Sequence, residues 1–325
     1  MTDLTICGLS IYEIVWYFLI YSFLGWVLEV IYNAAVSGKV VNRGFLNGPV
    51  CPIYGFGMVM LIALLNILFP EGAENVHGGV LFGFGLVLAT SVELFGGWAL
   101  DKLFHARWWD YSDKPFNING YICPEFSLYW GLGAVIMIRM MHPFIASHTV
   151  EVWPERYGWP AAAVFAAIYM ADLIVTVMVV NGLNKDLAEL DALRASMRVV
   201  SDKLSDALGT ESIKTAQHME EGRVKAALAR ESFEEHAGEL RGRLSEKRAI
   251  LEAKRTAALE EKKAELEEKK AAILRKEQAL YEKVLSKNFF GARRLFEAFP
   301  DMKMPQHKDL LEEIRSKLRK SSRQA

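Results

Sequence analysis

The sequence predicts an all-α protein: a polytopic membrane helix bundle of about five transmembrane helices, built as two related hairpins plus one, with a long cytoplasmic helical or coiled-coil extension. Three observations predict it. Apolar runs of about twenty residues, the length that crosses a hydrocarbon core of ~30 Å, recur from Ile11 to Val180. From Asn184 onward nearly every window is rich in Lys, Arg and Glu. The pattern G-x-x-C-P occurs twice, each time where an apolar run begins. Whole-chain figures hide this division, because 52% hydrophobic residues, 24% charged residues and a net charge of -1 describe neither half of the 325 residues. The reading divides the chain into a transmembrane domain over 1–184, a cytoplasmic arm over 185–288 and an amphipathic tail over 289–325.

The expected spans are Ile11 to Ala35, Cys51 to Phe69, Gly78 to Leu100, Phe126 to Ile145 and Trp159 to Val180. The first is too long for a cleaved secretory signal, and Met1 to Ser10 holds no Lys or Arg. Tyr12, Trp16, Tyr17, Trp153 and Trp159 suit the aromatic belts at the membrane surfaces. Lys39 and Arg43 follow span one, and Lys102, Arg107 and Lys114 follow span three, whereas the intervening connections are poor in basic residues around Glu71, Glu74 and Arg156. The positive-inside rule therefore places the N-terminus outside and the C-terminus in the cytoplasm of a cell-membrane protein. Gly55 with Gly57, Gly79 with Gly83 and Gly131 with Gly133 are expected to allow close helix approach.

Past Asn184 the chain runs to Lys287 without a proline. Leu190, Leu193, Met197, Val200 and Leu204 step by threes and fours, as a coiled-coil seam does. A second beat of Leu259, Leu266, Ile273 and Leu280 is matched by Lys262, Lys269, Lys276 and Lys283, which makes a weak seam. Gly209, Gly222, Gly238 and Gly242 are expected to divide the arm into two or three helices. After it, Phe289, Phe290, Leu295, Phe296 and Phe299 surround Arg293 and Arg294. That segment suits the membrane surface, a partner helix or the protein's own arm.

The two copies of the repeat are Gly48-Pro49-Val50-Cys51-Pro52 and Gly120-Tyr121-Ile122-Cys123-Pro124. Proline fits the first turn of a helix, where its missing N–H is not needed, and glycine fits the turn before it. The alternative is that Cys51 and Cys123, at helix N-termini, are activated thiols or metal ligands, although no His or further Cys stands at a ligand spacing. Each preceding span carries a glutamate, Glu29 or Glu93. With Asp172 of span five these are the carboxylates placed within the membrane, where ionisable groups face a partner, a cavity or a transport path. If their helices are neighbours, the three acids form one polar site with Arg43, Asn42 or Tyr32 beside it. The loop residues Asn42, Arg43, Trp109, Asp110 and Asn119 are candidates for contacts on the cytoplasmic face.

Phe23-Leu24-Gly25-Trp26-Val27-Leu28-Glu29, followed by Asn42-Arg43-Gly44-Phe45-Leu46-Asn47-Gly48-Pro49-Val50-Cys51-Pro52-Ile53-Tyr54-Gly55, resembles the CmpB-like type IV ABC-transporter permease family. Trp109-Asp110-Tyr111-Ser112 and Asn119-Gly120-Tyr121-Ile122-Cys123 extend the resemblance over most of the membrane half, and the arm lies outside it. The resemblance implies a permease subunit working with a separate ATPase. This chain has no G-x-x-x-x-G-K-[ST] loop to hold a nucleotide. A homodimer would supply ten spans. No catalytic residue, metal, cofactor or nucleic-acid partner is expected, and the lipid bilayer is the expected surround. Two other readings stay open: a membrane scaffold or sensor acting through the arm, and a membrane enzyme for lipid-linked substrates using Glu29 and Glu93 as acid and base.

Overall fold

The computed structural model describes residues 5–72, 76–228, 237–286 and 291–324. The chain is almost wholly helical, save for a short antiparallel ribbon of β1 (Thr5–Ile6) and β2 (Leu9–Ser10) ahead of the first helix. The helices are α1 (Ile11–Ser37), α2 (Pro52–Leu68), α3 (Gly78–Phe104) and α4 (Pro124–Val150). They continue with α5 (Glu155–Leu228), α6 (Ala237–Leu285), α7 (Ala292–Ala298) and α8 (Lys308–Gln324). Contacts divide them into two units, Met1–Lys185 with Val284–Ala325, and Asp186–Lys283. The C-terminal segment thus packs with the N-terminal bundle.

Local chemistry sets the helix ends. Ser10 and Glu13 form a reciprocal capping box at the start of α1, with the Ser10 N–H donating to Glu13 Oε2 at 2.7 Å and the Glu13 N–H donating to Ser10 Oγ at 3.2 Å. The helix stops at Gly38, whose φ of 69° is the left-handed C-cap glycine adopts without strain. Both α2 and α4 begin with a cysteine at the N-cap and a proline at the first helical position. In α4, Pro143 cannot bond to the carbonyl four residues back and its ring crowds that carbonyl. A wider π-turn over Met137–Met141 lies just before it, and a second follows at Ala146–Val150.

Among the described residues four helices are long and apolar enough to cross a membrane: α1, α3, α4 and the Glu155–Asp206 part of α5. The second expected span, α2, is shorter, because Cys51 and Phe69 serve as caps and only 17 helical residues remain. At 1.5 Å per residue that is about 26 Å.

In the first unit α1 packs on α2, α3 packs on α4, and α2 joins the two hairpins through α3. Their core includes Tyr17, Tyr21, Leu61, Leu65, Leu81, Ala134 and Ile138. One glycine in two of the three expected pairs makes a close approach, and the Gly79 and Gly83 pair makes none. A Cβ on Gly55 would stand 2.3 Å from Ser22 Oγ and 2.6 Å from the Phe18 carbonyl, and one on Gly131 would stand 2.8 Å from the Phe82 ring. Gly57, Gly83 and Gly133 have open space there, and Gly79 meets only His77. The partners that complete the contacts are Gly25, against Tyr54, and Gly85, against Ala134.

The second unit is an antiparallel helix pair, tied by Lys283 to Asp186 at 2.7 Å and by Arg194 to Glu277 at 3.4 Å. Leu190 is buried, and Leu193, Met197, Val200 and Leu204 are half-buried. Opposite, Leu266 is buried while Leu259, Ile273 and Leu280 are half-buried. The matching positions are Lys263, Lys270 and Glu277, four residues on, whereas Lys262, Lys269, Lys276 and Lys283 are exposed. The facing helix lies on that side of the leucine row and covers the aliphatic stems of Lys263 and Lys270. Helix α5 continues through Gly209 and Gly222, and α6 includes Gly238 and Gly242 in its first two turns. A lone glycine costs a helix only about 1 kcal/mol, which neighbouring helix formers absorb.

Candidate functional site

The loops 38–51 and 105–123 stand at the same end of the bundle as Glu29, Glu93 and Asp172, and each acid has its own set of partners. Asp172, on α5, accepts the backbone N–H of Asn47 at 3.1 Å, the Asn47 side-chain amide at 2.9 Å and the N–H of Gly48 at 2.7 Å. Thr176, one turn further on, accepts the same amide at 2.9 Å. A carboxylate that gathers several N–H donors is a strong local anchor. Gly48 serves the anchor by its small size, since a Cβ there would lie 3.1 Å from Asp172 Oδ2.

Glu29 and Glu93 are joined through aromatic side chains. The Tyr54 hydroxyl donates to Glu29 Oε1 at 2.7 Å, and Arg43 Nε lies 3.6 Å from Glu29 Oε2. Tyr111 and the Trp130 indole N–H each donate to Glu93 at 3.0 Å. The Tyr54 and Trp130 rings meet edge to face at 5.5 Å. A continuous path therefore runs Arg43, Glu29, Tyr54, Trp130, Glu93, Tyr111 across both hairpins. Of the three acids expected to converge, these two share a network, and Asp172 instead holds the loop that carries Arg43. Asn42 accepts from the Trp26 indole at 2.7 Å and donates to the Asn47 carbonyl at 2.6 Å, shaping that loop. Tyr32 is exposed.

The two copies of G-x-x-C-P start their helices alike and supply their acids differently. Tyr54 stands three residues after Cys51, whereas three residues after Cys123 comes Phe126, which has no hydroxyl. Tyr111 stacks on Phe126 at 4.8 Å and brings the missing phenol in from the loop. Gly48 and Gly120 differ too: only Gly120 has a left-handed backbone, with φ of 74°, and a Cβ on it would lie 2.2 Å from Asp110 Oδ1. Cys51 and Cys123 are buried, and neither side chain makes a cap hydrogen bond. Among the described residues no three His, Cys, Asp or Glu side chains group as metal ligands.

Loop 105–123 is held by its own polar residues. The Trp109 indole donates to the Tyr121 carbonyl at 2.9 Å, Asp110 Oδ1 accepts the Ser112 N–H at 2.9 Å, and the Asn119 carbonyl accepts from Arg107 at 3.0 Å. The C-terminal segment then bridges both loops. Arg294 donates to the carbonyls of Gly44 and Phe45, each at 2.9 Å. Lys303 exchanges two backbone hydrogen bonds with Arg107, at 2.8 and 2.9 Å, and its ammonium lies 2.6 Å from Asp110 Oδ2. Phe299 packs on Trp108, with Arg43 above its ring at 5.9 Å. Burial pushes the Asp110 carboxyl up, but hydrogen bonds from Lys303 and Ser112 outweigh it and hold it below its usual range. The bond to Asp110 raises Lys303, against a smaller opposing effect of burial.

Of the segment expected to dock at a membrane surface, on a partner or on the arm, Leu295, Phe296 and Phe299 are buried and Arg293 pairs with Glu297 at 2.8 Å. Phe289 and Phe290 lie outside the described residues. The donors Tyr54, Tyr111 and Trp130, and the anchors Asn47, Arg294 and Lys303, are functional positions that periodicity could not single out. Asn47, Tyr54 and Tyr111 lie within the stretches that carry the family resemblance, and Arg294 lies in its aromatic cluster, whereas Trp130 and Lys303 stand next to no such signal.

The family model described as "Putative ABC-transporter type IV" matches residues 16–177, which takes in both hairpins, both loops and Asp172. Neither the comparison with curated proteins nor that with solved structures finds a match.

Proposed function

The chain belongs, through residues 16–177, to the type IV ABC-transporter family, and from that premise we propose that it is a permease subunit working with a separate ATPase. It is a multi-pass membrane protein, and in this reading α2 also crosses the membrane, which brings the spans to five. The basic residues of loops 38–51 and 105–123 support a cytoplasmic position for those loops and an outside N-terminus. The observation that carries the reading is the bridge made by Arg294, Phe299 and Lys303, which holds both loops in one arrangement at the end of the bundle. A pair of loops fixed to each other and to Asp172 of α5 is suited to pass a partner's movement into several helices together. The path from Glu29 to Glu93 behind them is where such a movement would reach the membrane interior.

Purification of the full-length chain from its native membrane, followed by nucleotide hydrolysis measurements, tests this directly. A stoichiometric ATPase that leaves the complex when Arg294 and Lys303 are both replaced by Ala is the expected result. Recovery of the intact protein with no nucleotide-hydrolysing partner overturns it.

A second reading, a scaffold or sensor acting through a cytoplasmic coiled coil, is favoured by the helix pair of the second unit, whose described outer faces are rich in charged residues and also expose Val199, Ile250, Leu251 and Leu274. Replacing residues 186–283 by a short flexible linker separates the two. Undiminished substrate flux makes the pair accessory, and loss of flux with the ATPase still bound gives it a part in transport.

A further inference from the structure

A hollow of about 460 Å³ opens where α3 meets loop 105–123, lined by Trp98, Lys102, Arg107, Ser112, Asn117, Asn119 and Tyr121. We propose that it binds the headgroup of an anionic phospholipid, with Lys102 and Arg107 facing the phosphate. Trp98 and Lys102 are one turn apart on α3 and so share a face. Lys102 lies two residues from the helix end, and Trp98 lies about 6 Å closer to the start of the helix. Trp98 is 47% exposed, which suits an indole at the glycerol level, with Lys102 reaching the headgroups.

The charge balance is positive. Two acids adjoin the lining residues and both are already taken: Asp101 by Arg107 at 3.1 Å and by the Tyr121 hydroxyl at 2.6 Å, and Asp110 by the Ser112 N–H at 2.9 Å and by Lys303 at 2.6 Å. Tyr121 also supports the Arg107 guanidinium from below, at 4.8 Å from the ring centre. No acceptor among the described residues engages Lys102, and no acidic residue lines the hollow to receive the cationic group of a zwitterionic lipid. The Ser112, Asn117 and Asn119 rim is neutral; the Ser112 hydroxyl donates to Asp110 and the Asn117 amide is held by the loop backbone, so the rim adds no charge to set against the two cations. Anionic lipid at a basic interfacial site gains about 1 kcal/mol per Lys or Arg, or roughly fivefold in affinity.

The test uses the full-length protein in neutral detergent, with phosphatidylglycerol, phosphatidylcholine or inorganic phosphate added separately. Retained lipid is counted by native mass spectrometry, and the thermal midpoint is recorded alongside. Phosphatidylglycerol is expected to be retained and to raise the midpoint, while phosphatidylcholine and inorganic phosphate leave it unchanged. Lys102→Gln should weaken retention about fivefold with the midpoint in phosphatidylcholine unaltered, and Lys102→Arg should restore it. Lys39→Gln, which removes the same charge from the other loop, should behave as wild type. Equal retention of both lipids, equal losses in the two Gln variants, or protection by inorganic phosphate alone each overturns the assignment.

Discussion

The two hairpins begin their second helices with the same five-residue pattern and place a glutamate in the helix before it, yet the two acids live differently. Glu29 is partly open and lies beside a cation, Arg43, with a single phenol from α2. Glu93 is only 6% exposed and is held by two neutral donors, Trp130 and Tyr111. The repeated motif is a device for starting a helix, and it does not carry the environment of the acid with it. That environment comes from loop length: the 105–123 connection is long enough to fold Tyr111 back over Phe126, and the 38–51 connection instead delivers Arg43.

The largest expected effect tests the packing that the hairpins share. A Cβ on Gly55 meets a fixed backbone carbonyl at 2.6 Å, whereas one on Gly131 meets the Phe82 ring, which can turn aside, at 2.8 Å and the Phe82 carbonyl only at 3.0 Å. Gly55→Ala should destabilise the folded bundle by about 2–3 kcal/mol, and Gly131→Ala by about 1 kcal/mol, as read from thermal unfolding in detergent. Equal losses would mean that the two close approaches are mechanically alike.

Next comes the contrast between the acids themselves. Trp130→Phe keeps most of the ring and removes a donor from a buried carboxylate, which should cost about 1–3 kcal/mol. Tyr54→Phe removes the donor from Glu29, which keeps Arg43 and some access to solvent, and should cost about 1 kcal/mol or less. Reversal of that order in chemical unfolding would show that Glu29 is the more dependent of the two. Arg294→Met follows: it leaves the Gly44 and Phe45 carbonyls without their donor and should raise protease cleavage between residues 291 and 303 several-fold. Loop 105–123 should loosen less than loop 38–51, because Lys303 still holds it.

Much of this was legible in the sequence for a physical reason. Apolar runs of about twenty residues, a proline at the first helical position and rows of leucine three and four apart each reflect a local rule, so the helices, their starts at Pro52 and Pro124 and the Leu190 to Leu204 seam could be read directly. The shortness of α2 could not, because whether Cys51 and Phe69 cap or continue a helix depends on dihedral angles. Nor could the second seam, since Lys262 and Lys263 are both one turn from Leu259 and only the facing helix chooses between them. The site was least legible. Asp172 was visible as an intramembrane acid, but its partner Asn47 lies 125 positions away, and Arg294 lies about 250 from the carbonyls it binds. No periodicity spans such separations.

The smallest effect concerns the bond between loop 105–123 and the C-terminal segment, and it depends on pH in two directions. Asp110 is held below its ordinary value of 3.8, so its contribution is present above that value and is lost as pH falls through the lower, folded value. Lys303 is raised above its ordinary 10.5, so its contribution is present below that value and is lost as pH rises through the higher, folded one. Between those limits docking should be constant. Lys303 is 52% exposed, and water weakens the pair accordingly, so both limbs should be shallow. Hydrogen exchange of residues 299–303 across pH in wild type and Lys303→Met measures them. The backbone bonds to Arg107 should keep the variant docked on the plateau, while both limbs flatten. A limb that persists in Lys303→Met belongs to another group, and Arg294 would then be the stronger of the two loop anchors at every pH.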